Sequence, residues 1–170
     1  MAEGRSCWDL ARSAGASEAV ARELRGQRDE VYQHFLQTES IEIPGVREAL
    51  ATLAARDRMA IVTTARRVDF ELIHAKRDLL RFFEFVLTLE DYARCKPAPG
   101  PYLAAMARFQ ADAAQTVAVE DSARGLRSAL AAGIRCVIVR SAFTSTQDFT
   151  GAFRVVDSVG ALPGLLAEME

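Results

Sequence analysis

The chain has 170 residues, half of them hydrophobic, and a net charge of −2 at neutral pH. That length supports one substantial core, while a near-balanced charge argues against a polyanion, so no nucleic-acid partner is expected. No apolar run reaches the length of a signal peptide or a membrane span, so no membrane partner is expected. Cys7, Cys95 and Cys136 form an odd set without C-x-x-C spacing, which fits neither zinc nor a disulfide framework and points to a reducing, cytoplasmic setting.

From about Ser6 to Gln37, Val20, Leu24, Val31, Phe35 and Leu36 recur at helical spacing, with Gly15 and Gly26 as expected interruptions. Trp8 and Tyr32 are expected to pack within this segment. From Ile43 the pattern alternates. Helices are predicted near Val46–Arg56, Val68–Ala75, Pro101–Phe109, Ala123–Ala132 and Leu162–Met169, and strands near Ala60–Thr63, Phe85–Thr88, Thr116–Val119, Cys136–Val139 and Arg154–Val156. Such alternation implies an α/β fold, a parallel sheet with helices on both faces, in which ligands bind beyond the carboxyl ends of the strands.

Three segments carry chemistry. Val117-Ala118-Val119-Glu120-Asp121-Ser122 is an apolar strand ending on two carboxylates and a hydroxyl, followed by a small-residue helix that stops at Gly133. Paired acids at the end of a buried strand are costly to desolvate without a cation, and Mg²⁺ with its oxygen ligands is the economical counter-charge. The alternative is that Glu120 and Asp121 cap the following helix. Met59-Ala60-Ile61-Val62-Thr63-Thr64 is a second apolar strand ending on hydroxyls, and Cys95-Lys96-Pro97-Ala98-Pro99-Gly100 is a stiff loop presenting a lysine before a helix. Taken singly, Thr63 bonding the backbone and Lys96 as a solvated charge are the simpler readings. Arg66 and Arg67 stand where they reach a phosphate or face solvent, Glu90-Asp91 either orient the Lys96 loop or are solvated, and His34 and His74 have no partner at metal-ligand spacing.

In order and approximate spacing, strand–Thr63, Lys96-Pro97-x-Pro99 and strand–Glu120-Asp121-Ser122 resemble the haloacid dehalogenase-like (HAD) phosphatase superfamily. The likeness is to its helically capped branch, which includes phosphoglycolate phosphatase-like and β-phosphoglucomutase-like enzymes, and it runs from about Ile43-Pro44-Gly45-Val46 to near the C-terminus. The resemblance implies a Rossmann-like core over residues 43–170 and part of a helical cap over residues 1–42. It implies that Thr63, with Thr64 and Arg66 nearby, binds the transferring phosphoryl group, that Lys96 neutralises charge on nucleophile and phosphate, and that Glu120 and Asp121 hold Mg²⁺ directly or through water. The substrate class implied is a small phosphorylated metabolite.

One part of that family's pattern is absent. No two aspartates stand as Asp-x-Asp anywhere in the chain, and neither Asp9 nor Asp57 follows a strand that would make it a substitute nucleophile. In the family the strand carrying that motif lies between the strands ending at Thr63 and at Glu120. Without it these two would stand about 10 Å apart, too far for ladder hydrogen bonds, with exposed edges prone to self-association. The chain is therefore expected to be an N-terminally incomplete form of a phosphatase, without its nucleophile. A phosphomutase of the same branch would use the same residues, and a non-catalytic binding or regulatory protein is the reading that takes the missing motif at face value.

Overall fold

A computed structural model describes residues 7–169; the opening Met1 to Ser6 lies outside the described residues. In chain order the elements are helices α1 (Cys7–Ser13), α2 (Glu18–Thr38) and α3 (Val46–Ala54), strand β1 (Ala60–Val62), helix α4 (Arg67–His74), strand β2 (Phe85–Leu87), helix α5 (Gly100–Phe109), strand β3 (Val117–Glu120), helix α6 (Ala123–Ala131), strands β4 (Arg135–Val139) and β5 (Arg154–Val156), and helix α7 (Leu162–Ala167). Every strand and helix anticipated from residue 43 onward is present, with ends shifted by at most two residues.

The N-terminal helices differ in one respect from expectation. Gly15, at φ +93°, ends α1 where a left-handed residue is needed, and Ser17 opens α2 by accepting the Val20 N–H at 3.3 Å. Gly26 does not interrupt α2, which runs through it unbroken. A single interior glycine costs about 1 kcal/mol relative to alanine, too little to break a 21-residue helix. Trp8 lies under the guanidinium groups of Arg25 and Arg28, 5.2 and 5.9 Å from its ring centre. Tyr32 does not pack inward; it is exposed with Val20, Leu24, Val31 and Phe35.

The five strands are all parallel to their partners but form two sheets, β1–β2 and β3–β4–β5. On β4, Cys136, Val137 and Ile138 are wholly buried in succession, the pattern of a parallel strand covered on both faces. Val137 packs with Leu53 of α3 and Leu162 of α7 on one face. Cys136 and Ile138 pack with Tyr102 and Met106 of α5 and Leu126 and Ala129 of α6 on the other. These helix layers span the two sheets: Val62 of β1 reaches the α5–α6 cluster, and Met59 joins Val117 in the α3–α7 cluster. Between β1 and β3 they enclose a cleft of about 1990 Å³. Val119, on the free side of β3, is 43% exposed.

Candidate active site at the carboxyl ends of the strands

Thr63 follows β1 directly. Its N–H is held by the Leu87 carbonyl at 2.9 Å, its hydroxyl oxygen accepts the Ala65 N–H at 3.1 Å, and its carbonyl accepts the Tyr92 hydroxyl. Burial, with the nearby Cys95, pushes the Tyr92 phenol up to about 12, so it remains a neutral donor. The Thr63 oxygen is thus fixed as an acceptor toward the turn, while its own O–H proton stays available to an incoming oxygen. Thr64 is half-buried beside it on the same cleft.

Lys96 reaches this point from the loop before α5. Helix α6 pins that loop, because Arg124 and Ser128, four residues apart on one helix face, donate to the Lys96 and Ala98 carbonyls, both at 2.6 Å. The peptide bond between Lys96 and Pro97 is cis. The buried ammonium donates to the Val62 carbonyl at 2.9 Å and to the Glu120 carboxylate, and makes a longer 3.4 Å contact with the Tyr102 hydroxyl, over whose ring it sits. Two of its three donors are committed to the ends of β1 and β3, and the third is weakly held. That third donor is the one an incoming anion would take.

The two acids at the end of β3 part company. Glu120 turns inward: it accepts from Lys96 and from the Tyr102 hydroxyl, whose ionisation is pushed far upward by burial and by the Glu120 charge. Its carboxylate lies over the first turn of α6, so close that a Cβ on Gly125 would fall 1.9 Å from Oε2. Asp121 is exposed and makes no hydrogen bond or ion pair with a described residue. Neither acid caps α6. That cap is Ser122, which accepts the Gly125 N–H at 3.1 Å, and the Ala123 N–H is taken by Gln147 at 2.7 Å.

Thr63, Thr64, Lys96, Glu120 and Asp121 therefore line one cleft. Arg66 lies apart. Its guanidinium is gripped by Asp69, at 2.8 and 3.0 Å, and by Asp29 of α2, while Gln33 donates to Asp69 at 3.0 Å. Glu90 and Asp91 do not orient the Lys96 loop; they hold the start of α4 through the Arg67 N–H and guanidinium. Tyr102, Arg124, Gly125 and Ser128 escaped the sequence reading. Their one signal is position, six residues after Lys96 and within the first turns after Ser122, and it becomes informative only once α5 and α6 are folded side by side.

Among the described residues no group of three or more His, Cys, Asp or Glu side chains converges as a metal cage. Asp121 is an open carboxylate, and Glu120 is committed to Lys96. This donor set suits an ion that keeps most of its water, as Mg²⁺ does, and does not suit a dedicated all-protein site.

A family model for haloacid dehalogenase-like hydrolases matches residues 3–139. The chain belongs to that family. Among its relatives, protein CbbY of Cereibacter sphaeroides is 30% identical over 92% of this chain and 77% of that protein. A phosphoglycolate phosphatase of Cupriavidus necator is 33% identical over 92% of this chain and 67% of that protein. The crystal structure of CbbY from Rhodobacter sphaeroides in complex with phosphate superposes with a TM-score of 0.74 at 26% identity, covering 86% of this chain and 67% of that chain. The fold is thus the Rossmann-like α/β fold of HAD hydrolases, and the phosphatases among the relatives make a hydrolase of the phosphoglycolate phosphatase-like branch the class to which this chain is assigned. No helix among the described residues is long and apolar enough to cross a membrane.

Proposed function

We propose that the cleft is the phosphoryl-binding and metal-holding part of a Mg²⁺-dependent phosphatase for small phosphorylated metabolites. The observation that carries this is the Lys96 ammonium joined to the ends of both β1 and β3, beside the Thr63 hydroxyl and the open Asp121 carboxylate. Lys96 supplies positive charge where a phosphoryl oxygen and an attacking carboxylate would meet, and Thr63 donates its free proton to a phosphoryl oxygen. Bound Mg²⁺ would neutralise further phosphoryl charge, with Asp121 as its anchor in this chain. The relatives named phosphoglycolate phosphatase and the phosphate-bound CbbY support a phosphomonoester substrate. Residues 1–42 serve in this reading as part of a cap over the cleft, with Arg66, through Asp29 and Asp69, fastening it to the core rather than touching substrate.

The chemistry requires a carboxylate that attacks phosphorus, displaces the alcohol oxygen and forms an acyl phosphate, which water then hydrolyses to regenerate the carboxylate. No Asp-x-Asp is present in these 170 residues to supply it. That same observation favours a second reading, a protein that binds a phosphorylated metabolite without turning it over. Titration with inorganic phosphate in Mg²⁺ buffer tests both readings of the site, and binding that is lost in Lys96→Met is expected. With p-nitrophenyl phosphate the chain alone should release phosphate no faster than background. Turnover that survives purification and vanishes in Asp121→Ala would show that this cleft hydrolyses the ester without an Asp-x-Asp and would overturn the second reading.

A further inference from the structure

Arg66, the arginine closest to Thr63 in sequence, has all three of its guanidinium nitrogens taken by Asp69 and Asp29, so it offers the cleft nothing. Arg124 does. It stands in the first turn of α6, four residues after Glu120, is exposed, and lines the cleft with Thr63, Lys96 and Asp121. Its Nε donates to the Lys96 carbonyl at 2.6 Å. No described residue pairs with its two terminal amino groups. Arg56, Arg58 and Arg140, which line the same cleft, are paired with Asp57, Glu84 and Asp157. A guanidinium has two edges that grip an anion, one through Nε and a terminal nitrogen and one through both terminal nitrogens. Anchoring Nε fixes the plane of Arg124 and leaves the second edge open, so little side-chain freedom remains to be lost when an anion binds.

We propose that Arg124 is a specificity-determining residue, whose open edge grips a second anionic group, a carboxylate or a phosphate, on a small metabolite whose phosphoryl group lies at Lys96 and Thr63. The anchor of the guanidinium is the backbone of Lys96 itself, so guanidinium and ammonium are separated by no more than the reach of one lysine side chain beyond one hydrogen bond. The ligand so selected is compact, with its two anionic groups a few bonds apart. Burial and the nearby Cys95 push the Tyr92 phenol up while the Arg124 charge draws it down, so that charge is felt at the hydroxyl that bonds the Thr63 carbonyl. A phosphomonoester with a neutral tail leaves the open edge to water and gains nothing from it. The assignment rests on the phosphoryl reading of the cleft given above; the demand for a second anion does not follow from that reading and rests on Arg124 alone.

The test is calorimetric titration of the full chain, in Mg²⁺ buffer, with ethylphosphonate, phosphonoacetate and methylenediphosphonate, which carry a phosphoryl group with a neutral tail, a carboxylate and a second phosphoryl group. At least one of the two doubly anionic ligands should bind about tenfold or more tighter than ethylphosphonate, the gain that a charge-assisted bidentate contact supplies. Whichever gains more identifies the second group as carboxylate or phosphate. In Arg124→Gln the ratio to ethylphosphonate should fall close to one. Ser128→Ala removes the other bond that α6 makes to the Lys96 loop, at the Ala98 carbonyl, and leaves the guanidinium in place. It should weaken all three ligands alike and keep the ratio. A ratio retained in Arg124→Gln would overturn the proposal. A ratio lost equally in Ser128→Ala would also overturn it, by making Arg124 a positioning residue for the Lys96 loop. Binding of inorganic phosphate and ethylphosphonate with no gain from a second anion would overturn this proposal and leave the phosphoryl reading intact, whereas no binding of any phosphoryl ligand to the parent chain would overturn both.

Discussion

The Lys96 ammonium donates to the Glu120 carboxylate across the end of the cleft, with only 10% and 8% of the two side chains exposed. A buried pair of this kind costs much to break from one side, because the remaining charge has no water to return to. Lys96→Met should destabilise the fold by about 3–5 kcal/mol, and adding Glu120→Gln should recover a large part of that loss. Denaturant unfolding of the two single variants and the double variant measures the coupling. Additive effects would show that the two charges act independently.

Gly125→Ala should destabilise although it replaces a helical glycine by the best helix former. The new methyl would overlap the Glu120 carboxylate at 1.9 Å, which outweighs the gain in propensity of about 1 kcal/mol. In a Glu120→Ala background the overlap disappears, and the same substitution should become neutral or stabilising. Paired thermal melts read this change of sign.

Asp69 joins α2 to α4 through Arg66 and Gln33. Burial alone would raise its carboxyl, but the hydrogen bonds from Arg66 and Gln33 and the neighbouring positive charges outweigh that and hold it below the usual carboxylate range. A group depressed in the folded state adds stability above its unfolded value of about 3.9, and that stability is lost as pH falls through the lower folded value. Asp69→Asn should therefore lower the melting temperature at pH 6, by an amount equivalent to about 1–3 kcal/mol, and the gap to the parent should close as pH falls through the lower folded value. A gap that is constant with pH would show that the lost interaction is not the carboxylate's charge.

Mg²⁺ should bind this chain weakly, with a dissociation constant on the order of millimolar, since one open carboxylate is far from a complete site. Asp121→Asn should remove the binding seen by calorimetry, whereas Tyr102→Phe, which removes a hydroxyl bonded only to Glu120 and Lys96, should leave it. Micromolar binding would show that Glu120 leaves Lys96 to join Asp121 on the metal.

The sequence by itself determined the α/β class, the succession of elements from residue 43 and the candidates Thr63, Lys96, Glu120 and Asp121, because strand period, helix period and the residues that end each strand are local properties. It also showed that no Asp-x-Asp is present, which singled out β1 and β3 as strands with free edges. Only the tertiary structure decided what the side chains do. Glu120 and Asp121 are neighbours in sequence, yet one folds under α6 to Lys96 and Tyr102 while the other stays open, because successive residues leaving a strand point in different directions. Arg66 sits three residues after Thr63 but is captured by Asp29 of α2, 37 positions away. Gly26 reads as a break, yet α2 runs through it because one interior glycine costs too little to stop a long helix. At Gly125 the tertiary structure decides, since Glu120 occupies the space that a side chain there would need.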